Sequence, residues 1–169
     1  MSVLGKTLAN IGFKSSGPID PKFDKKYTKP VPPYPIPVSQ LDQSKKEVEK
    51  LIALGVLEQV YESDVVSPAF FISKPNGSLR LLIDFRFLNK HLIRSPYFVP
   101  RIKEILLKLG KAKFFSTLDA NMGYYGRVLD KSSRGFTAFS LPFGKFRYKR
   151  LPMGISTAPD EYQACMEQI

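Results

Sequence analysis

The sequence contains very little cysteine and histidine. Cys165 and His91 are the single residues of their types, so the chain cannot build an internal disulfide framework or a zinc site from these residues. A lone cysteine fits a reducing compartment, and we expect Cys165 to be a small core residue. No stretch approaches the roughly 18 apolar residues of a membrane span, and the N-terminus lacks the apolar segment of a signal peptide. We therefore expect an intracellular, cytoplasmic protein, free or in particles, that is not secreted and has no membrane partner.

Positive charge, by contrast, is abundant. The 26 lysines and arginines exceed the 15 aspartates and glutamates, which gives a formal net charge of +11. Such an excess favours a polyanionic partner such as nucleic acid. The alternatives are a basic domain without such a partner, or one attracted to anionic lipid.

Proline divides the chain into two parts. Seven of the 14 prolines lie in the first 37 residues, and their density favours an extended backbone without regular hydrogen bonds. We expect residues 1–37 to be a leader or linker and residues 38–169 to form the domain. A proline-rich ligand for another protein domain is the alternative for the leader.

Three helices are predicted from apolar spacing and end signals. The first begins with Ser39 as its cap and ends near Gly55. Its inward side is predicted to carry Val48, Leu51 and Ile52, and its outward side Lys45, Lys46, Glu47, Glu49 and Lys50. The second begins at Pro100, ends at Gly110 and shares one face among Ile102, Ile105, Leu106 and Leu109. The third begins near Thr157 and turns inward Ala158, Tyr162, Cys165 and Ile169.

Strands are predicted between and after these helices. The runs SPAFFISK and SLRLLIDF flank Pro75-Asn76-Gly77, and an Asn-Gly pair between apolar runs favours a β-hairpin. FFSTLD is predicted to be a strand that ends at Asp119. FTAFS and KFRYKRL are predicted to be strands joined by residues 141–144. Mixed helices and antiparallel strands indicate an α+β fold.

Several charged residues are candidates for chemistry. Asp119, on a rigid element, can bind Mg²⁺, which prefers oxygen ligands, although an aspartate that caps a turn has the same pattern. Lys74 and Arg80 flank the hairpin turn and can contact a triphosphate. The alternative for this pair is solvated charge on an exposed hairpin.

Aromatic residues accompany these charges. Tyr124 and Tyr125 follow Gly123, so a ring can press on the sugar of a nucleotide, or both tyrosines can belong to the core. In the last predicted strand, basic and aromatic residues alternate: Phe146, Arg147, Tyr148, Lys149 and Arg150. The basic side can contact phosphates, or the strand is half-buried with one solvated side.

The order and spacing of four segments resemble one protein family. These segments are LGVLEQ, SPAFFISKPNGSLRLLIDFRFLNK, LGKAKFFSTLDANMGYY and PFGKFRYKRLPMGISTAPDEYQ. From about Tyr34 to Ile169 the chain is similar to the reverse transcriptases of gypsy-type long-terminal-repeat retrotransposons. The resemblance implies the fingers and part of the palm of a right-hand polymerase, with an incomplete palm sheet.

The resemblance also implies roles around an incoming nucleotide. Lys74 and Arg80 would match the residues that bind its phosphates, and Ala120 would place its backbone nearby. Tyr124 would match the steric gate that excludes a ribose 2′-hydroxyl. Met153 and Gly154 would line the nucleotide pocket, where glycine permits close backbone approach.

Metal and template roles follow from the same resemblance. Asp119 would match the first of three carboxylates that hold two Mg²⁺ ions for attack of the primer 3′-hydroxyl on the α-phosphate. Arg86, Asn89 and Gln163 would face the template and primer, with a structural role as the alternative for Arg86 and Asn89. The implied partners are an RNA or DNA template with its primer, deoxynucleoside triphosphates, and the thumb, ribonuclease H and integrase domains of a polyprotein.

The sequence departs from the family pattern in ways that bear on activity. It contains no Tyr-x-Asp-Asp motif, which supplies the other two carboxylates, so we expect the 169-residue polypeptide alone not to extend primers. Gly126 and Pro75 replace more usual residues and favour a decayed copy. Two further hypotheses are a non-catalytic nucleic-acid-binding remnant and a palm whose unpaired sheet edge prevents stable folding.

Overall fold

The computed structural model describes residues 32–63, 65–93, 96–98, 100–110, 112–116, 119–120 and 122–167. Most of the predicted leader lies outside these residues, and the described residues 32–37 have no regular secondary structure. Ile169, predicted to face inward, also lies outside them. Within the described part of the chain, no helix combines the length and apolar character needed to cross a membrane.

Five α-helices, five strands and three short 3₁₀ turns make up the regular structure of the described residues. The helices are α1 (Leu41–Ala53), α2 (Arg86–His91), α3 (Ile102–Leu109), α4 (Lys131–Arg134) and α5 (Ala158–Met166). The strands are β1 (Leu57–Val60), β2 (Ser67–Ser73), β3 (Leu79–Ile83), β4 (Phe139–Leu141) and β5 (Gly144–Tyr148). The predicted α+β class is therefore confirmed.

The strands form one mixed sheet in the order β1-β5-β4-β2-β3. The hairpin of β2 and β3 is antiparallel, as predicted, and pairs Ser73 with Leu79 beside the turn. β2 runs parallel to β4, whereas β5 is antiparallel to both β4 and β1. The short β2–β4 ladder thus joins the hairpin to the rest of the sheet.

The core lies where α1 and α2 meet the sheet. Val48 and Leu51 of α1 are 2% and 4% exposed, and Leu88 of α2 is fully buried. They belong to the same cluster as Phe139 and Tyr148. Each side chain of this size contributes about 1.5–3 kcal/mol when fully buried. Cys165 is buried as predicted, and Nη1 of Arg127 donates a hydrogen bond to its Sγ at 3.5 Å.

The start and the sides of α1 differ from the prediction. Ser39 lies in a 3₁₀ turn, and Gln40 is the N-cap without a side-chain cap bond. Ile52 is 37% exposed, because the inward stripe follows Ser44, Val48 and Leu51 instead. The helix does end near Gly55, whose φ of 68° favours glycine.

Two predicted strands are shorter or missing. In FFSTLD, residues 114–116 and Asp119 have no strand structure, and residues 117–118 lie outside the described part. An apolar run becomes a strand only where another strand pairs with it, and Phe114 is 93% exposed. In FTAFS, Phe136 and Thr137 form a 3₁₀ turn, so β4 begins only at Phe139.

The helix predicted at residues 100–110 is present as α3. Arg101 is its N-cap and Gly110 its C-cap. The four residues of its predicted apolar face are nevertheless exposed, at 40–76% of their surface: Ile102, Ile105, Leu106 and Leu109. Periodicity therefore predicted this helix correctly without showing what covers it.

Candidate functional site

The turn of the β2–β3 hairpin fixes the position of Lys74. The Lys74 amide donates to the Ser78 carbonyl at 2.7 Å, and the Gly77 amide donates to the Lys74 carbonyl at 2.9 Å. Gly77 has a φ of 77°, which favours glycine. Oδ1 of Asn76 accepts bonds from the Ser78 amide and hydroxyl. The Pro75-Asn76-Gly77 signal thus produces a well-bonded turn.

Beside this hairpin lies a cavity of about 350 Å³. Lys74 and Arg80 line it from the hairpin, and Met153 and Gly154 line it from the turn before α5. The two pairs are far apart in the sequence, and all four residues were predicted to contact a nucleotide. The fold therefore places two cationic side chains and a glycine, whose backbone a ligand can approach closely, around one concave site.

Asn89 fixes the Met153–Gly154 turn against α2. Its Nδ2 donates to the Gly154 carbonyl at 2.9 Å, and its Oδ1 accepts from the Ser156 amide at 2.9 Å. Gly154 has a φ of 93°, a conformation that a residue with a Cβ adopts only with strain. This geometry supports the structural interpretation of Asn89, whereas a template contact stays a prediction.

Tyr125 also lines the cavity. Its ring stacks on Tyr148 with 6.2 Å between centroids. Burial is the main cause that raises the pKa of Tyr125, and it raises the pKa of fully buried Tyr148 well above its ordinary value. Both phenols are therefore neutral near pH 7, and the pair forms an uncharged wall.

Tyr124 turns to a different neighbour. Its ring lies 5.1 Å from that of Tyr162 on α5, and it is not among the residues that line the cavity. A Cβ on Gly123 would lie 2.6 Å from the Tyr162 hydroxyl, so any larger residue there would require the Tyr162 ring to shift. Tyr162 was predicted to face inward and is half-buried here. The steric-gate role of Tyr124 stays a prediction.

Asp119 and Ala120 are exposed and lie outside the cavity lining. The charge of Asp119 is a minor cause, after burial, of the raised pKa of Tyr162, which places this carboxylate near α5. No three His, Cys, Asp or Glu residues in the described ranges form a group that could hold a metal ion. This donor set therefore does not fit a two-metal centre.

Of the residues predicted to face a template, Arg86 is exposed, whereas Asn89 and Gln163 are half-buried. Arg86 donates to both carboxylate oxygens of Asp84 at 2.6–3.1 Å, and this bond lowers the pKa of Asp84. The Arg86 side chain is 85% exposed. On α5, Nε2 of Gln163 donates to Oε1 of Glu167 at 3.2 Å. Both side chains are accessible, and their template contacts stay predictions.

The basic strand β5 fits the half-buried interpretation. Phe146 and Tyr148 are 4% and 3% exposed. Nε of Arg147 donates to Oε1 of Glu58 on β1 at 2.6 Å. Arg150, just beyond the strand, donates to backbone carbonyls near Tyr125. The aromatic side of β5 thus belongs to the core, and part of the positive charge on its other side is already paired.

Sequence reasoning missed one cavity residue of opposite charge. Glu47 was predicted to point outward from α1, yet it lines the cavity with Lys74 and Arg80. Nothing in the sequence indicated this position for Glu47, because a charged residue on an amphipathic helix normally faces solvent. The hairpin covers that side of α1, and Nε2 of Gln43 donates to the Gly77 carbonyl at 2.9 Å.

Comparison with known proteins places this geometry in context. Residues 72–169 match the family model described as reverse transcriptase (RNA-dependent DNA polymerase). The Pol polyprotein of transposon 412 from Drosophila melanogaster is 39% identical over 139 residues, which cover 79% of this chain and 11% of that protein. The Pol polyprotein of transposon gypsy from the same species is 36% identical over 142 residues, which cover 80% of this chain and 14% of that protein.

Solved structures agree in fold. Prototype foamy virus protease-reverse transcriptase superposes with a TM-score of 0.79 at 24% identity, covering 89% of this chain and 20% of that one. The foamy viral enzyme in complex with an RNA/DNA hybrid gives 0.68 at 20% identity, with 90% and 20% covered. The chain spans only 10–14% of the length of the curated relatives it matches. It belongs to the reverse transcriptase family and corresponds to part of that domain in the Pol polyproteins of gypsy-type retrotransposons.

Proposed function

We propose that the cavity between the β2–β3 hairpin and the Met153–Gly154 turn binds the triphosphate of a deoxynucleotide. In the intact polymerase, this would be the incoming nucleotide for RNA-directed DNA synthesis. The observation that carries the proposal is the convergence of Lys74 and Arg80 with Met153 and Gly154 in one cavity. Family membership supplies the activity to which such a site belongs.

The chemistry of the lining supports this assignment. The planar guanidinium of Arg80 can bond two phosphate oxygens, and the ammonium of Lys74 adds a point charge. A volume of about 350 Å³ lies within the usual range for small-ligand sites. The Tyr125 ring and the Met153 side chain add apolar surface that a base or sugar can cover.

The remaining predicted residues fit around this site as parts of the proposal. Tyr124, packed on Tyr162, would exclude ribonucleotides, with the Ala120 backbone near the triphosphate. Reverse transcriptases normally use divalent metals, and Asp119 would supply one carboxylate to Mg²⁺. The described donors do not complete such a centre.

A template with primer is the second proposed partner. Foamy viral protease-reverse transcriptase has been solved in complex with double-stranded DNA and with an RNA/DNA hybrid. This chain has a net charge of +11, which favours contacts to phosphates. Arg86, exposed on α2, and Gln163, half-buried on α5, are the proposed contacts.

Equilibrium binding of dATP to the full chain tests the nucleotide site. We expect the double variant Lys74→Ala, Arg80→Ala to lose at least about tenfold in affinity, because it removes two charge-assisted contacts. The matched control is Lys45→Ala, Lys46→Ala, which removes two exposed charges from α1. Equal affinity in both double variants would refute the assignment of the cavity.

A further inference from the structure

We propose that Glu47 is a specificity-determining residue of this cavity, whose carboxylate opposes the phosphates of a bound nucleotide and limits the retention of polyphosphates. The inference rests on the proposed function, since it concerns the same site.

The position of Glu47 carries the first step. Its side chain is only 20% exposed, and it lines the cavity with Lys74 and Arg80. Its ion pair with Lys50 is long, at 3.9 Å, and the Lys50 side chain is 58% exposed. Solvent therefore weakens that ion pair, and Lys50 compensates little of the electrostatic effect of the Glu47 carboxylate on the cavity.

Tyr125, which lines the cavity, is affected by charges of both signs. The charge of Glu47 raises the pKa of Tyr125, whereas the charge of Arg80 lowers it, both after the larger effect of burial. The two groups therefore act on the same buried phenol from the cavity wall. Glu47 and Arg80 would therefore both act electrostatically on a ligand bound in the cavity.

The cavity is small enough for one charge to matter. A sphere of about 350 Å³ is roughly 9 Å across, comparable to the Debye length at physiological salt. With Glu47 ionised, the three charged side chains of the lining sum to about +1, and without it to about +2. A polyphosphate must therefore be repelled by Glu47, and more strongly as its own charge rises.

This repulsion has a use in the proposed reaction. Attack of a primer 3′-hydroxyl on the α-phosphate forms the new O3′–P bond and breaks the bond from the α-phosphorus to the oxygen that bridges it to the β-phosphate, while the hydroxyl proton passes to water. The pyrophosphate released must then leave two cations. A carboxylate in the same cavity weakens the hold on that product. Release of product limits the turnover of many enzymes, so Glu47 would favour turnover over affinity.

Binding of dATP, pyrophosphate and dAMP to the full-length chain with EDTA present tests the role of Glu47. We expect Glu47→Gln to bind dATP and pyrophosphate about fivefold more tightly, and dAMP less than about twofold more tightly. The matched control is Glu49→Gln, which changes the net charge equally from an exposed position on the same helix. Its affinities should equal those of the unchanged chain.

Glu47→Asp keeps the charge and should bind like the unchanged chain, which separates charge from side-chain packing. Equal effects of Glu47→Gln and Glu49→Gln, or weaker binding by Glu47→Gln, would overturn the inference. If dATP affinity did not depend on Lys74 and Arg80, the proposed function itself would fail. If it did depend on them while Glu47→Gln had no specific effect, only the role of Glu47 would fail.

Discussion

Gly123 is the residue at which one added carbon has the clearest expected cost. A Cβ there would lie 2.6 Å from the Tyr162 hydroxyl and 2.9 Å from the ring carbon Cζ. We expect Gly123→Ala to lower the free energy of unfolding by about 1–3 kcal/mol, because overpacking forces the ring to move. Chemical denaturation of the full chain measures this change.

The control for Gly123 is Gly135→Ala, because a Cβ at Gly135 meets nothing within 4 Å. That variant should have the stability of the unchanged chain, or slightly more. Gly123→Ala combined with Tyr162→Leu should recover much of the lost stability, since the clashing ring atoms are gone. An undiminished stability for Gly123→Ala alone would contradict the packing described here.

Asn89 is the residue on which the Met153–Gly154 turn depends. Asn89→Ala removes both of its hydrogen bonds to that turn, and we expect a loss of about 1–3 kcal/mol in stability. Affinity for dATP should fall as well, because Met153 and Gly154 line the cavity. Asn76→Ala, in the exposed hairpin turn, is the comparison for stability. Unchanged dATP affinity in folded Asn89→Ala would show that the turn does not need this clamp.

Residues also show where sequence reasoning reaches its limit. Lys74 and Arg80 were predicted together because a hairpin turn fixes neighbouring residues locally. The cavity position of Glu47 was missed because it depends on the hairpin folding back over α1, as the bond from Gln43 to Gly77 shows. Periodicity within one helix carries no information about such a distant contact.

At the scale of elements, α4 depends on an ionised cap. Oδ2 of Asp130 accepts bonds from the Ser132 hydroxyl at 2.6 Å and amide at 2.9 Å, and these bonds lower the pKa of Asp130. A lowered pKa adds stability above the ordinary value, near pH 4, and this stability is lost as pH falls through the lowered pKa. Asp130→Asn should therefore lower Tm at pH 7.

The same variant should lose its effect in acid. The difference in Tm between Asp130→Asn and the unchanged chain should shrink as pH falls from about 4 toward 2, because the unchanged carboxyl also becomes neutral. Glu62→Gln, at an exposed position without regular structure, should leave Tm nearly unchanged at pH 7. A difference for Asp130→Asn that stayed constant with pH would exclude the carboxylate as its source.

Elements with a local signal were predictable, and elements that need a distant partner were not. The Asn-Gly turn predicted the β2–β3 hairpin, and helical spacing predicted α1, α3 and α5. Strand β1 was missed because LEQV owes its extended form to pairing with β5. FFSTLD was predicted as a strand, yet its described residues have no strand structure.

At the scale of the whole molecule, the α+β class followed from the mixture of patterns, but the sheet order did not. The parallel ladder of β2 with β4 joins Ser67 to Phe139, and no property of either segment indicates the other. The family resemblance implied a fingers-and-palm fold, but it did not specify this strand order. The similarity in fold to foamy virus reverse transcriptase is consistent with that implied fold.

The net charge of +11 leads to a prediction about nucleic acid. The full chain should bind an RNA/DNA hybrid with little sequence preference, and its affinity should fall steeply as salt rises because counterions are released. Arg86→Ala should reduce the slope of log K against log salt by about one if Arg86 contacts a phosphate. Affinity that does not change between about 50 and 200 mM salt would contradict an electrostatic interface.

Hydrogen exchange of the full chain with and without dATP tests the central claim most directly. The account predicts slower exchange in the hairpin turn from Lys74 to Arg80 and in the Met153–Gly154 turn, the two segments that line the cavity. Exchange in α3, whose residues are not among that lining, should stay the same. Slower exchange confined to other segments, or none at saturating dATP, would contradict a nucleotide site in this cavity.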